Sequence, residues 1–105
     1  MALIFTIFVW IYSFSNELLV TITEDELGHV RLNAISFTDD VQKLRVTIDE
    51  DLPFLIGFNK AGQEVDVLIS RDSFNKIILV WELVDKDEQE TAIVLRERVY
   101  VPFIR

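Results

Sequence analysis

The stretch Asp72-Ser73-Phe74-Asn75-Lys76-Ile77-Ile78-Leu79-Val80-Trp81-Glu82-Leu83-Val84 decides the fold class, because it can be written as a helix or as a strand. As a helix it would start on a Ser70 or Asp72 cap, turn Phe74, Ile77, Ile78 and Trp81 inward, and run to about Glu88. As a strand it presents Ile77 to Trp81, a run of residues that suit a pleated surface. The acidic turn Asp85 to Glu90 follows, and Thr91 to Val101 supplies a return strand through Ile93, Leu95, Val99 and Val101. Pro102 ends it. The strand reading is preferred and makes the chain all-β. The alternative is an α+β fold with one helix near 72–88.

Within the return strand, Arg96-Glu97-Arg98 places Glu97 on the face opposite both arginines. Either Glu97 finds a cross-strand partner, or the arginines serve an interface, where Arg is favoured.

Upstream, Phe54 to Phe58 and Gln63 to Ile69 flank Asn59-Lys60-Ala61-Gly62, which predicts a hairpin with Gly62 in a left-handed position. Alternation predicts further strands over 17–23, 29–37 and 42–48, separated by Glu24 to Gly28 and by Asp39-Asp40. The first strand, over 3–13, is apolar on both faces. Leu3, Phe5, Ile7, Val9 and Ile11 share one side, and Ile4, Thr6, Phe8, Trp10 and Tyr12 the other. A half-solvated strand would show a polar face, so this one is expected to be central, or covered by a second copy through Phe8, Trp10 and Tyr12. The expected architecture is one domain over 1–105. It is a small antiparallel β-sandwich or barrel of about eight strands, mostly hairpin-connected, with a meander as the simplest topology.

Other readings of the first stretch fail on its flanks. A transmembrane helix needs about 20 apolar residues, and the run stops at Asn16-Glu17. A secretory leader needs basic residues ahead of its apolar core, and no Lys or Arg precedes Arg31. With no cysteine in the chain, thiol catalysis, thiolate zinc sites and disulfides are excluded, and a reducing, cytoplasmic setting is expected.

Ten basic against eighteen acidic residues give a net charge of -8. That opposes binding to a phosphate backbone or to an anionic membrane, and favours a basic protein partner. In a meander, Glu24, Asp25, Glu26, Asp49, Glu50, Asp51 and Asp72 gather at one end, tempered only by Arg71. Asp39, Asp40 and the Asp85 to Glu90 turn gather at the other, beside Lys60 and Lys86.

Catalytic chemistry has little to work with. The lone histidine, His29, could pair only with one of Ser13, Ser15, Ser36, Ser70 or Ser73, and none of these sits in a nucleophile-elbow sequence. Gly28, Gly57 and Gly62 are too scattered for a phosphate loop, and Asp49-Glu50-Asp51 lacks the glycine and terminal glutamate of a calcium loop. No cofactor and no metal are expected. The sequence therefore points to a non-enzymatic protein-interaction module, of the immunity protein, antitoxin or viral inhibitor type. Its alternative is a structural subunit that self-assembles through the N-terminal strand; a small enzyme or ligand-binding barrel ranks third.

Overall fold

A computed structural model describes residues 8–69, 74–85 and 92–103. They form β1 (Phe8–Phe14), β2 (Leu18–Glu24), β3 (Val30–Ser36), β4 (Val41–Ile48), β5 (Phe54–Phe58), β6 (Glu64–Ile69), β7 (Lys76–Val84) and β8 (Ile93–Pro102). The deciding stretch is a strand. β7 pairs with β4 from Ile48↔Ile77 to Val41↔Val84, and on its other side with β8. Ile77, Leu79 and Trp81 are fully buried, while Ile78 and Val80 face the other way at half burial. That period of two rules out the helix over its described part; residues 72, 73 and 86–88 lie outside the described residues.

Two four-stranded antiparallel sheets result, sheet A in the order β1-β2-β3-β6 and sheet B in the order β5-β4-β7-β8. They stay open, so the architecture is a sandwich and not a barrel. Leu18, Val20 and Ile22 of β2 and Val30, Leu32 and Ala34 of β3 meet Leu44 and Val46 of β4 and Leu79 of β7 between the sheets, all fully buried. Burying each large aliphatic side chain contributes roughly 1.5–3 kcal/mol, which makes these alternate positions the main support of the fold. Among the described residues no helix is long and apolar enough to cross a membrane.

The meander is corrected. β3 hands over to β4 in the other sheet, β5 hands over to β6 in the first, and β6 hands over to β7 in the second again. The expected hairpin over 54–69 does not form, since β5 pairs with β4 and β6 with β3. Its glycine nonetheless sits as expected, with Gly62 at φ +89°. The Gln63 side chain closes the turn by accepting from the Asn59 and Lys60 N–H groups. The Gly62 N–H donates to the Ser36 carbonyl, which ties the turn to the end of β3. A turn residue specifies a local bend; it does not specify which strand the next segment joins.

The first strand is also corrected. β1 is an edge strand, not a central one, and its residues 3–7 lie outside the described residues. Trp10 and Tyr12 turn inward and pack against the core, with the Trp10 ring 4.7 Å from that of Phe103. Phe8 stacks on Trp10 at 6.2 Å and is half exposed at the strand's start. The outward apolar positions are instead Val9 and Ile11, 50% and 63% exposed.

A buried polar knot closes the β1–β2 turn end of the sandwich. Trp81 Nε1 donates to Gln42 Oε1 at 2.9 Å, and Gln42 Nε2 donates to Ser36 Oγ at 3.0 Å. Phe14 stacks on Trp81 at 5.7 Å, joining the two sheets. With its amide used on both sides, Gln42 can be fully buried without an unmet hydrogen-bonding group.

Candidate functional site

The strand directions bring the turn after β2 and the turn after β4 to one end of the sandwich. The three crossings between sheets, after β3, β5 and β6, keep the up-and-down alternation, so every second connection still falls at the same end. Glu24, Asp25, Glu26, Asp49, Glu50 and Asp51 therefore share that end, while Asp72 and Arg71 lie outside the described residues.

Asp25, Asp49 and Glu50 have local work. Asp25 Oδ1 accepts from the Leu27 and His29 N–H groups, each at 2.9 Å, and Oδ2 lies 3.0 Å from His29 Nδ1. These bonds, the one from the His29 backbone first, hold the Asp25 carboxyl below its ordinary range. Asp49 sits at φ +51°, a left-handed position that Asp tolerates, and its Oδ1 accepts from the Asn75 and Lys76 N–H groups at 2.8 and 3.1 Å. It thereby pins the start of β7 to the end of β4. Glu50 meets Lys76 Nζ at 2.9 Å, which raises the lysine above its ordinary value. Among the described residues the end is thus tempered by Lys76, a residue beyond the expected Arg71. Glu26 and Asp51 project from the two turns as exposed carboxylates.

His29 lines an open groove of about 390 Å³ with Thr23, Asp25, Arg31 and Leu68. Asp25 orients the imidazole as a catalytic aspartate would, but among the described residues no serine lies beside it. Ser15 Oγ donates to Glu97, and Ser36 Oγ donates to the Thr38 carbonyl. Ser70 and Ser73 lie outside the described residues. The Asp25–His29 contact serves to close the turn. Among the described residues, no group of three or more His, Asp or Glu side chains converges to hold a metal ion.

At the opposite end Glu17 and Asp40 form a carboxyl pair. Hydrogen bonding to Asp40, then desolvation and like-charge repulsion, push Glu17 above its ordinary value. Asp39 Oδ1 accepts from the Ala61 N–H at 2.9 Å and fastens the 59–63 turn to the β3–β4 connection.

A further surface lies on the outer face of sheet B. Glu97 points inward and accepts from Ser15 Oγ of the β1–β2 turn, so Arg96 and Arg98 point outward. Cross-strand register then builds a grid on that face. Lys43, Glu82 and Arg96 form one row; Arg45, Val80 and Arg98 the next; Thr47, Ile78 and Tyr100 the third. Arg45, Arg96 and Arg98 line a groove of about 510 Å³ over Ile78 and Val80. Arg96 Nη2 meets Glu82 Oε2 at 3.1 Å. Among the described residues, Lys43, Arg45 and Arg98 have no ion-pair partner. Sequence reasoning singled out Arg96 and Arg98 but missed Lys43 and Arg45. The signal available for them was their shared parity on one strand. That β4 and β8 both flank β7 follows only from the fold.

Searches with this chain find no matching family model, curated protein or solved structure.

Proposed function

We propose that this chain is a protein-interaction module that captures a basic protein partner through the end carrying the turns after β2 and β4. The mode of action is that of an immunity protein, antitoxin or inhibitor, which works by occupying its partner and not by chemistry. The supporting observation is the segregation of charge. Lys43, Arg45, Arg96 and Arg98, four of the ten basic residues, share the outer face of sheet B with Glu82 as its acid, while Lys76 reaches Glu50 at the acidic end. Those five residues carry a formal +3, so a net charge of -8 leaves -11 on the rest of the chain. Carboxylates gathered away from their counter-charges steer a cationic partner at low salt.

The test is a binding titration with a short lysine-rich peptide at low ionic strength. Glu26→Lys with Asp51→Lys is compared with Glu64→Lys and Asp66→Lys on β6, an equal change of charge. Loss several-fold greater for the end pair, fading as salt rises, supports the reading. Equal losses for the two pairs would refute an end-specific surface. Asp49 is left intact because its carboxylate holds the backbone of β7.

A second reading, a subunit that self-assembles through its first strand, is favoured by edge chemistry. Three edges carry features that discourage pairing: Glu64 and Asp66 on β6, Arg96, Glu97 and Pro102 on β8, and short length behind Pro53 on β5. β1 runs from Phe8 to Phe14 without a charge or a proline and exposes Val9 and Ile11. Sedimentation distinguishes this reading, since association through β1 persists in high salt and is abolished by Ile11→Lys.

A further inference from the structure

The outer face of sheet B is opposite in sign to the rest of the molecule, and an unspecific solubility role does not account for it. In a chain with eighteen acidic residues, Lys43, Arg45 and Arg98 stand on one face without an ion-pair partner among the described residues. Mutual repulsion between them is a cost that an anionic ligand would remove. We propose that this face binds an extended acidic segment of a protein partner, laid along β7. This surface is independent of the acidic end and would hold even if that reading failed.

Three features of the grid fit such a ligand. The floor is apolar, Val80 and Ile78, and the cations rise on both sides of it from β4 and β8. Strands two apart in a sheet are separated by about 10 Å, which leaves room for one extended chain between the flanking side chains. Along each flank the charges recur at every second residue, Lys43 and Arg45 on one side and Arg96 and Arg98 on the other. That repeat is about 7 Å, the same as the spacing of alternate side chains on an extended peptide. A guanidinium also matches a carboxylate in a two-pronged hydrogen bond, which Lys43 cannot offer. Glu82, nearly buried, already pairs with Arg96, so Arg45 and Arg98 are the guanidinium groups left for a ligand's carboxylates.

A single-stranded nucleic acid has a comparable phosphate spacing but suits the face less well. Stacking on aromatic side chains supplies much of such binding, and Tyr100 is the one aromatic residue on the grid. The apolar floor offers nothing to a base that it would not offer better to an aliphatic side chain.

The experiment is a titration at low salt, followed by amide chemical shifts and by anisotropy of a labelled ligand. The probe is a peptide of alternating glutamate and valine, long enough to span β7; a glutamine-for-glutamate peptide and an oligothymidylate are run beside it. Expected are shifts confined to β4, β7 and β8, with the glutamate peptide preferred over both others. Arg45→Glu and Arg98→Glu should each weaken it about tenfold, the loss of one charge-assisted hydrogen-bonded pair. Lys60→Glu, an equal change of charge on the 59–63 turn, should weaken it far less. Arg45→Gln and Arg98→Gln replace the reversals if either fails to fold. The proposal is overturned if the peptide does not bind, if Lys60→Glu matches the arginine variants, or if the oligothymidylate binds more tightly.

Discussion

The acidic end and the arginine face are both charged surfaces, yet their side chains stand in different relations to the fold. At the end, the carboxylates of Asp25 and Asp49 are spent on backbone N–H groups within their own turns or across to β7. Removing them removes structure. On the face, Arg45 and Arg98 rest on finished strands and hold nothing else in place. A charged residue in a turn is therefore weak evidence of a binding site, because turns recruit Asp for their own hydrogen bonds. Unpaired charge on the outer face of a sheet has no turn chemistry to explain it.

The largest consequence of this difference is expected at Asp49. Asp49→Ala strips the acceptor from the Asn75 and Lys76 N–H groups and leaves an unfavourable left-handed alanine. It should cost about 1–3 kcal/mol in urea unfolding. Asp49→Asn, which keeps an acceptor and tolerates that backbone angle, should recover much of the loss. A neutral Asp49→Ala would erase the contrast between the two surfaces.

A smaller effect is expected from pH at Asp25. Its carboxyl is held below the ordinary value of 3.8, so between the two values the unfolded chain binds more protons than the folded one. The contribution is fully present above the unfolded value and is lost as pH falls through the folded one. Urea midpoints measured across that acid range should fall less steeply in Asp25→Asn than in the parent. An unchanged slope would mean that the His29 N–H bond does not hold the charge.

The smallest effect is expected on the arginine face, where Arg45→Ala and Arg98→Ala should shift stability by no more than about 0.5 kcal/mol in either direction. A gain on their combination would sharpen the comparison, since it would reveal the repulsion directly. A loss above 1 kcal/mol would make the face structural, and so like the end.

Much of the secondary structure was legible because one physical rule governs each strand. Where one face is buried and the other is not, apolar residues alternate, as Leu44 and Val46 do against Lys43, Arg45 and Thr47. All eight expected strands are present, the first over 8–14 of its described residues. The two acidic turns shared an end for a reason independent of topology, since antiparallel strands reverse at every connection whether or not they stay in one sheet. Gly62 was legible because a positive φ is a local property.

Alternation, turn chemistry and strand length are local, and the amino-acid sequence by itself determined them. Partner choice was not local. Nothing in Phe54 to Ile69 distinguishes pairing across the Gly62 turn from parting into two sheets, because both bury the same residues. That choice was made by the space between the sheets, where β3 and β4 must face each other to bury Val30, Leu32, Leu44 and Val46. The same holds for the first strand. Its two apolar faces gave no preference for one over the other, and only the contacts of Trp10 with Phe103 and of Phe14 with Trp81 turned the even-numbered residues inward. The arginine face is the furthest from the sequence of all. Lys43, Arg45, Arg96 and Arg98 become neighbours through β7, a strand remote from β4 in the chain, and a field summed over side chains exists only once the sheet has assembled.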